Sequence, residues 1–139
     1  MIRAGQKVFV DTGGWLALAL SRDVYHQRAV DGWTALQRSG ARFCTSVPVI
    51  IETFTYMDRK VDPGLARTWS AGVRGQKDIQ VIECNSADLL QAWPWLERRD
   101  LHKLSLVDAI SFVLLRKHRI RHVLAFDTHF AQAGFRSVA

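Results

Sequence analysis

Five short apolar runs recur along the chain, and the longer segments between them have helical periodicity. The runs cover residues 7–10, 41–45, 79–83, 123–126 and 134–138, the last of them compatible with an edge strand. Runs of this length, bounded by turn residues, are typical of buried β-strands. Strands that alternate with helices in this way predict an α/β fold, a three-layer α/β/α sandwich around a central and mostly parallel sheet.

The segments between these runs carry the start and stop signals of helices. Helices are predicted over residues 15–20, 25–38 and 65–73, after Ser46 with Pro48 in the first turn, and from Asn85 or Ser86 to Leu96. The last long helix begins at Ser105 and ends in the basic run 116–119. It is apolar on nearly every side, which indicates a buried helix rather than an amphipathic one.

Composition supports a globular chain with a basic surface. Residues 1–139 are predicted to form a single domain, because 48% of them are hydrophobic and this length supports a real core. The formal net charge is +6, which favours a polyanionic partner, and nucleic acid before a membrane. A soluble surface that merely happens to be basic remains the alternative.

Cysteine usage and hydropathy predict the cellular location of the protein. The two cysteines, Cys44 and Cys84, lie far apart without a CxxC pattern, so buried free thiols are predicted rather than a disulfide framework or a zinc site. Free thiols fit a reducing cytoplasm, which is the predicted location. No signal peptide is recognisable, and no segment has 18 uncharged apolar residues, so no membrane association is predicted.

Four acidic residues stand out by their positions. Asp11 and Asp127 follow buried strands, Asp108 lies in the first turn of the buried helix, and Glu52 lies within an apolar helix. Singly, each has an ordinary explanation as a turn residue, a helix cap, a partner of the helix dipole or a side chain that reaches solvent. In a parallel sheet, however, strand carboxyl ends and helix amino ends share one edge, so all four can converge. Converging carboxylates repel, and a hard cation such as Mg²⁺ or Mn²⁺ would offset that repulsion.

Four short motifs together resemble a known family. They read VDT at residues 10–12, VIIET at 49–53, SLVDA at 105–109 and FDTHF at 126–130. In order and spacing they resemble a PIN domain, and within that family the VapC-like toxins of toxin–antitoxin pairs. The resemblance extends from the first strand to the last helix. Gly13 is a departure, since relatives often carry serine or another small polar residue there, and it affects only a secondary hydrogen bond.

The resemblance implies a Mg²⁺- or Mn²⁺-dependent ribonuclease that hydrolyses phosphodiester bonds in tRNA, rRNA or mRNA. It implies that the metal-binding and catalytic residues are Asp11, Glu52, Asp108 and Asp127. Thr128 follows the last acid, where the family often has a hydroxyl, and is a secondary site residue. His129, by contrast, is not a catalytic base in the family pattern.

The resemblance also implies partners, namely a cognate antitoxin and a second copy of the chain in a homodimer. Aromatic and apolar residues on the first two helices are candidates for the antitoxin groove, although packing on the sheet would explain them equally well: Trp15, Leu16, Leu18, Leu20, Tyr25, Trp33 and Leu36. Basic residues are candidates for RNA contacts, although solvated charge would explain each of them: Arg59, Lys60, Arg98, Arg99, Arg116, Lys117 and Arg119.

Two other functions stay open from the sequence. A protein of the same fold could bind RNA or a protein partner without cutting, but such a protein would be free to lose the acids. A metal-dependent phosphatase acting on small molecules would have little need of a basic surface. The intact set of four acids and the net charge favour the ribonuclease.

Overall fold

A five-stranded parallel sheet runs through the centre of the molecule. In the computed structural model, which describes residues 2–138, the strand order is β3-β2-β1-β4-β5 and every pairing is parallel. The strands are β1 (Lys7–Val10), β2 (Arg42–Ser46), β3 (Gln80–Ile82), β4 (His122–Leu124) and β5 (Arg136–Ser137). The predicted α/β class is confirmed, and the sheet is parallel throughout the described residues.

Helices fill the connections between the strands. They are α1 (Thr12–Ala19), α2 (His26–Arg38), α3 (Val47–Lys60), α4 (Pro63–Gly75), α5 (Ser86–Leu96), α6 (Leu106–Lys117) and α7 (His129–Gln132). Side-chain caps explain where several of the helices begin. The side chains of Ser46, Asn85 and Ser105 accept hydrogen bonds from the backbone amides of Val49, Asp88 and Asp108, respectively. Helix α4 begins two residues before the prediction because Asp62 caps it, and the short α7 was not predicted.

The order of the strands creates a switch point between β1 and β4. From β1 the chain winds outward through β2 to β3, and it then crosses back to β4 and β5 on the other side of β1. Because crossovers between parallel strands are right-handed, the helices of the two windings cover opposite faces of the sheet. Ligands of open α/β sheets bind at the carboxyl ends of the strands beside such a reversal.

Helix α1 approaches this switch point unusually closely. A Cβ atom on Gly14 would overlap the backbone carbonyl oxygen of Leu124, the last residue of β4. Glycine is therefore required where α1 crosses the end of the neighbouring strand. The central strands are fully buried at this point, and Val10 and Leu124 are paired in register.

The predicted burial of the two thiols is observed fully for only one of them. Both thiols are free, but Cys44 is buried whereas Cys84 is half-buried. Burial raises the pKa of the Cys44 thiol to about 12, so this thiol stays protonated and unreactive. Within residues 2–138, no helix combines the length and the apolar character needed to cross a bilayer.

Candidate active site

The four predicted acids come from four different elements and lie at the carboxyl edge of the sheet. Asp11 directly follows β1, and its Oδ1 accepts a hydrogen bond of 2.8 Å from the Gly14 amide as the cap of α1. Asp127 follows β4, Asp108 lies in the first turn of α6, and Glu52 lies in the second turn of α3. We refer to this region, defined by the four acids, as the carboxyl edge.

Burial and mutual repulsion perturb the acids at this edge. Asp11 is only 3% exposed, and burial raises its pKa well above the ordinary value, with further increases from Asp127, Asp108 and Glu52. Burial likewise raises the pKa of Asp108 to about 6, and Asp127 and Glu52 add to the increase. The four carboxylates are thus close enough to interact electrostatically, as expected for residues that share one ion.

A tighter group within the site includes a histidine. Ligand atoms of Asp108, Asp127 and His129 all lie within 4.8 Å of one another. The His129 Nδ1 atom lies 3.6 Å from Asp108 Oδ2 and 3.9 Å from Asp127 Oδ1. The mixed oxygen and nitrogen donors suit a divalent cation, and the buried Nδ1 atom has no hydrogen-bond partner among the described residues.

His129 is the site residue that sequence reasoning missed. The only local signal is its position two residues after Asp127, in the FDTHF motif. Its backbone amide donates a hydrogen bond of 2.9 Å to Asp127 Oδ1, which the short turn before α7 makes possible. Thr128 between them is exposed, and its side chain makes no capping hydrogen bond.

Two neighbouring features shape the site. The ring of Phe126, next to Asp127, stacks on Tyr25 with centroids 4.7 Å apart and an interplanar angle of 8°. This stack ties the segment that carries Asp127 to the loop before α2. On the other side, a Cβ atom on Gly13 would lie 3.6 and 3.8 Å from the two carboxylate oxygens of Asp11. The glycine therefore leaves open space beside this carboxylate.

Two of the predicted RNA-binding residues lie near the acids. Arg59 and Lys60, in the last turn of α3, line an apolar groove of about 610 Å³ together with Glu52. Ile51 and Tyr56 form much of its exposed apolar surface. A phosphate backbone that approaches Glu52 along this groove would meet both positive charges.

The other predicted basic residues are placed elsewhere on the molecule, and their RNA contacts stay a prediction. Arg116 and Lys117 end α6, about 12 and about 14 Å of helix from Asp108. Arg116 packs over the Trp95 ring, and Lys117 pairs with Asp88 at 3.1 Å. Arg119 lies beside the amino ends of β1 and β4, at the opposite edge of the sheet from the acids.

Arg98 and Arg99 lie in the connection between α5 and α6. The Arg98 guanidinium donates to Asp100 and lies 4.9 Å from the centroid of the Trp95 ring. Arg99 is exposed. Arg98 thus forms an exposed local ion pair with Asp100, and its contact with RNA stays a prediction.

The residues predicted for an antitoxin groove on the first two helices divide between packing on the sheet and lining a groove. Trp15 is buried and donates to Thr45 Oγ1 at 3.1 Å, and Leu36 is buried as well. Trp33 stacks on Phe43 of β2 with centroids 3.7 Å apart. These side chains mainly support the sheet. A groove of about 280 Å³ does exist, but it lies between α1, α2 and α4, with Leu18, Trp33, Trp69, Gly72 and Val73 among its lining residues.

Comparison with known proteins decides the family. Residues 8–136 match the family described as PIN domain. The chain belongs to the PIN-domain family.

Individual PIN-domain relatives are similar over nearly their whole length. The 23S rRNA-specific endonuclease VapC20, in two strains of Mycobacterium tuberculosis, is 38% identical over 129 residues, covering 92% of this chain and 95% of that protein. The crystal structure of Mycobacterium tuberculosis VapC20, a sarcin-ricin loop cleaving toxin, has a TM-score of 0.81 at 35% identity and covers 93% of this chain and 96% of that one. FitAcB from Neisseria gonorrhoeae shares the fold, with a TM-score of 0.64 at 12% identity over 95% of this chain and 96% of that one.

These matches confirm the resemblance to PIN domains and to VapC-like toxins, and they confirm the predicted nuclease class. PIN nucleases depend on metal ions, and this chain has an acidic cluster fit to bind one. The identity of the ion and the role of each acid stay predictions.

Proposed function

We propose that this PIN-domain protein is a metal-dependent endoribonuclease, the toxin of a toxin–antitoxin pair, and that it cuts 23S ribosomal RNA. The observation that carries the proposal is the partly buried cluster of carboxylates at the carboxyl edge, where burial, Asp127 and Glu52 raise the pKa of both Asp11 and Asp108. A bound divalent cation relieves such repulsion. The similarity to VapC20 over more than nine-tenths of the chain supports the ribosomal substrate.

The acids have distinct parts in this proposal. Asp11, Asp108 and Asp127 would hold Mg²⁺ or Mn²⁺, and Glu52 would complete the set from α3. When bound, such an ion activates a water molecule for attack on the phosphodiester and stabilises charge on the leaving oxygen. The chain prepares the site by orienting carboxylates with backbone amides, from Gly14 to Asp11 and from His129 to Asp127.

RNA would approach along the groove beside Glu52. Arg59 and Lys60 would contact phosphates, and the exposed faces of Ile51 and Tyr56 offer apolar surface to bases. Each lost phosphate contact should lower the slope of log affinity against log salt by a little under one unit. Arg59→Gln should therefore reduce the salt dependence of binding to uncleaved RNA, whereas Arg119→Gln at the opposite edge should leave it unchanged.

The direct test is cleavage of ribosomes and of purified RNAs by the isolated chain. With Mg²⁺ or Mn²⁺ we expect a single break in 23S rRNA, mapped by primer extension, and we expect a chelator to abolish it. Asp11→Asn serves as the inactive control, because it retains the shape of the cap but removes a charge. Cleavage of other RNAs with intact 23S rRNA would reject the substrate but not the nuclease.

Other results would support the open alternatives. Tight RNA binding without any break under either metal would indicate a binding module. Hydrolysis of a small aryl phosphate without any break in RNA would indicate a phosphatase.

The antitoxin partner is proposed to lay an apolar segment into the groove between α1, α2 and α4. Gly72 lines this groove on α4, and a Cβ atom there would meet nothing within 4 Å, so Gly72→Arg would obstruct the groove without disturbing the core. Growth arrest by Gly72→Arg should escape rescue by a co-expressed antitoxin. Gly75→Arg, also unobstructed but outside the groove lining, is the control. Equal rescue of both variants would contradict this placement.

Homodimerisation stays a prediction without assigned residues.

A further inference from the structure

The ring of His129 has one nitrogen whose role is defined and one whose role is not. Its Nε2 atom lies 2.7 Å from the carbonyl oxygen of His102, in the loop before α6. Because a carbonyl oxygen only accepts, Nε2 must carry the hydrogen and donate it. This contact fixes the ring orientation and directs Nδ1 to the opposite side, toward the acids.

The Nδ1 atom faces two carboxylates at distances too long for hydrogen bonds. It is 3.6 Å from Asp108 Oδ2 and 3.9 Å from Asp127 Oδ1, and it is buried without a hydrogen-bond partner among residues 2–138. A buried nitrogen left without a partner is costly, so this spacing requires an explanation.

The spacing fits atoms that surround a common ion. For metal–ligand distances of about 2.1 Å, neighbouring ligands of an octahedral ion are about 3.0 Å apart and opposite ligands about 4.2 Å apart. The separations of 3.6 and 3.9 Å lie between these two values, so shifts of less than about 1 Å would place the three ligand atoms around one ion. The hydrogen bond from Nε2 to a backbone carbonyl is also the usual support for a histidine that binds metal through its other nitrogen.

We propose that His129 is a ligand of the metal ion at this site, through Nδ1, beside the carboxylates of Asp108 and Asp127. This inference rests on the proposed metal-dependent function and adds a nitrogen donor to its four acids. An imidazole nitrogen favours first-row transition ions over Mg²⁺, which prefers oxygen ligands. The site should therefore bind Mn²⁺ more tightly than Mg²⁺, and His129 should be the source of that preference.

The test is pulsed electron paramagnetic resonance of Mn²⁺ bound to the full chain. The electron spin echo of the wild type should show modulation from a directly coordinated ¹⁴N nucleus. Labelling the histidines with ¹⁵N should change the modulation to that of ¹⁵N, a readout that needs no substitution. His129→Gln should abolish the nitrogen signal, and His118→Gln, an exposed position at the far end of α6, should retain it.

Metal titrations by calorimetry supply the second readout. His129→Gln should weaken Mn²⁺ binding about tenfold or more, and should weaken Mg²⁺ binding much less. Bound Mn²⁺ without nitrogen modulation in the wild type would overturn the role of His129 and leave the proposed nuclease intact. Modulation that persists in His129→Gln would do the same. No Mn²⁺ binding at all would overturn both.

Discussion

Like charges lie close together at both edges of the sheet, but the acids at one edge are mostly buried or half-buried and the basic residues at the other are largely exposed. At the carboxyl edge, Asp11 and Asp108 are buried or nearly so, and both have raised pKa values. At the opposite edge, which we call the amino edge, four of the five strands begin with basic residues: Lys7, Arg42, His122 and Arg136. All of these except His122 are exposed to solvent.

The difference shows that burial, more than the number of charges, decides the cost of crowding. Basic residues at the amino edge extend into water, which screens their repulsion. At the carboxyl edge, Asp11 is held by the hydrogen bond from the Gly14 amide and Asp108 by its place in the buried helix, so these two carboxylates have little freedom to move apart. A cation bound among the acids would relieve their repulsion, as the proposed metal site requires.

The largest expected effect comes from a substitution that forces α1 away from the end of β4 at the carboxyl edge. In Gly14→Ala, the added methyl group would overlap the Leu124 carbonyl, so we expect a loss of unfolding free energy of about 3 kcal/mol. Gly72→Ala, in the interior of α4 with open space around it, should instead gain up to about 1 kcal/mol. Urea denaturation measures both, and equal stability of the two variants would mean that the close approach at Gly14 is not real.

Removing one charge from the carboxyl edge should separate activity from stability. Asp11→Asn is expected to lower RNA cleavage by about 10²–10³-fold, yet to raise the melting temperature in the absence of divalent ions, because burial and three acids oppose its ionisation. Mg²⁺ or Mn²⁺ should raise the melting temperature of the wild type more than that of the variant. An identical metal response in both would reject the shared site. Arg121→Gln at the amino edge should keep the wild-type response.

The acids predict a specific pH dependence for the protein without divalent ions. The pKa of Asp108 is about 6 in the folded chain and lower when unfolded, so the folded state binds more protons between these values. Stability should therefore fall as pH rises, by about 2 kcal/mol from pH 4 to 6 for this group alone. Denaturation across that range measures the slope. Asp108→Asn or saturating metal should flatten it, and a slope unchanged by both would contradict this origin.

The amino edge should show a smaller effect of opposite sign. Partial burial lowers the pKa of His122, and the charges of Arg136 and Arg121 lower it further. The unfolded state then binds more protons, so stability should decline as pH falls below about 6.5. Titration of His122 by NMR checks the direction, and Arg136→Gln should move its pKa back toward the ordinary value. A pKa of His122 above the ordinary value in the wild type would contradict repulsion between His122 and the neighbouring arginines.

Local sequence signals located most of the fold, and long-range contacts account for the differences. Strand β1 and Asp11 were predicted to the residue, because a buried run that stops at a carboxylate is visible in the sequence. The strand predicted at 123–126 begins one residue too late and ends two residues too late, since β4 spans His122–Leu124 and ends where its partner β1 ends at Val10. That limit is set by a neighbour more than a hundred residues away.

The site was predictable where topology alone places a residue. Acids after strands and at helix starts converge by the rules of parallel sheets, and Asp11, Glu52, Asp108 and Asp127 do so. The position of His129 depends on a hydrogen bond to a carbonyl 27 residues away, which no local pattern reveals. Arg116 and Lys117 looked like RNA contacts as a charge run, but their partners Trp95 and Asp88 come from another helix.

The pairing of β1 with β4 has a consequence for how the chain acquires its activity during synthesis. Val10 aligns with Leu124, so the two central strands come from opposite ends of the chain and must meet late in folding. A growing chain has Asp11 and Glu52 long before the ribosome adds Asp108 and Asp127. Until β4 enters beside β1, Asp127 cannot join Asp11, so an incomplete chain would lack part of the proposed metal site.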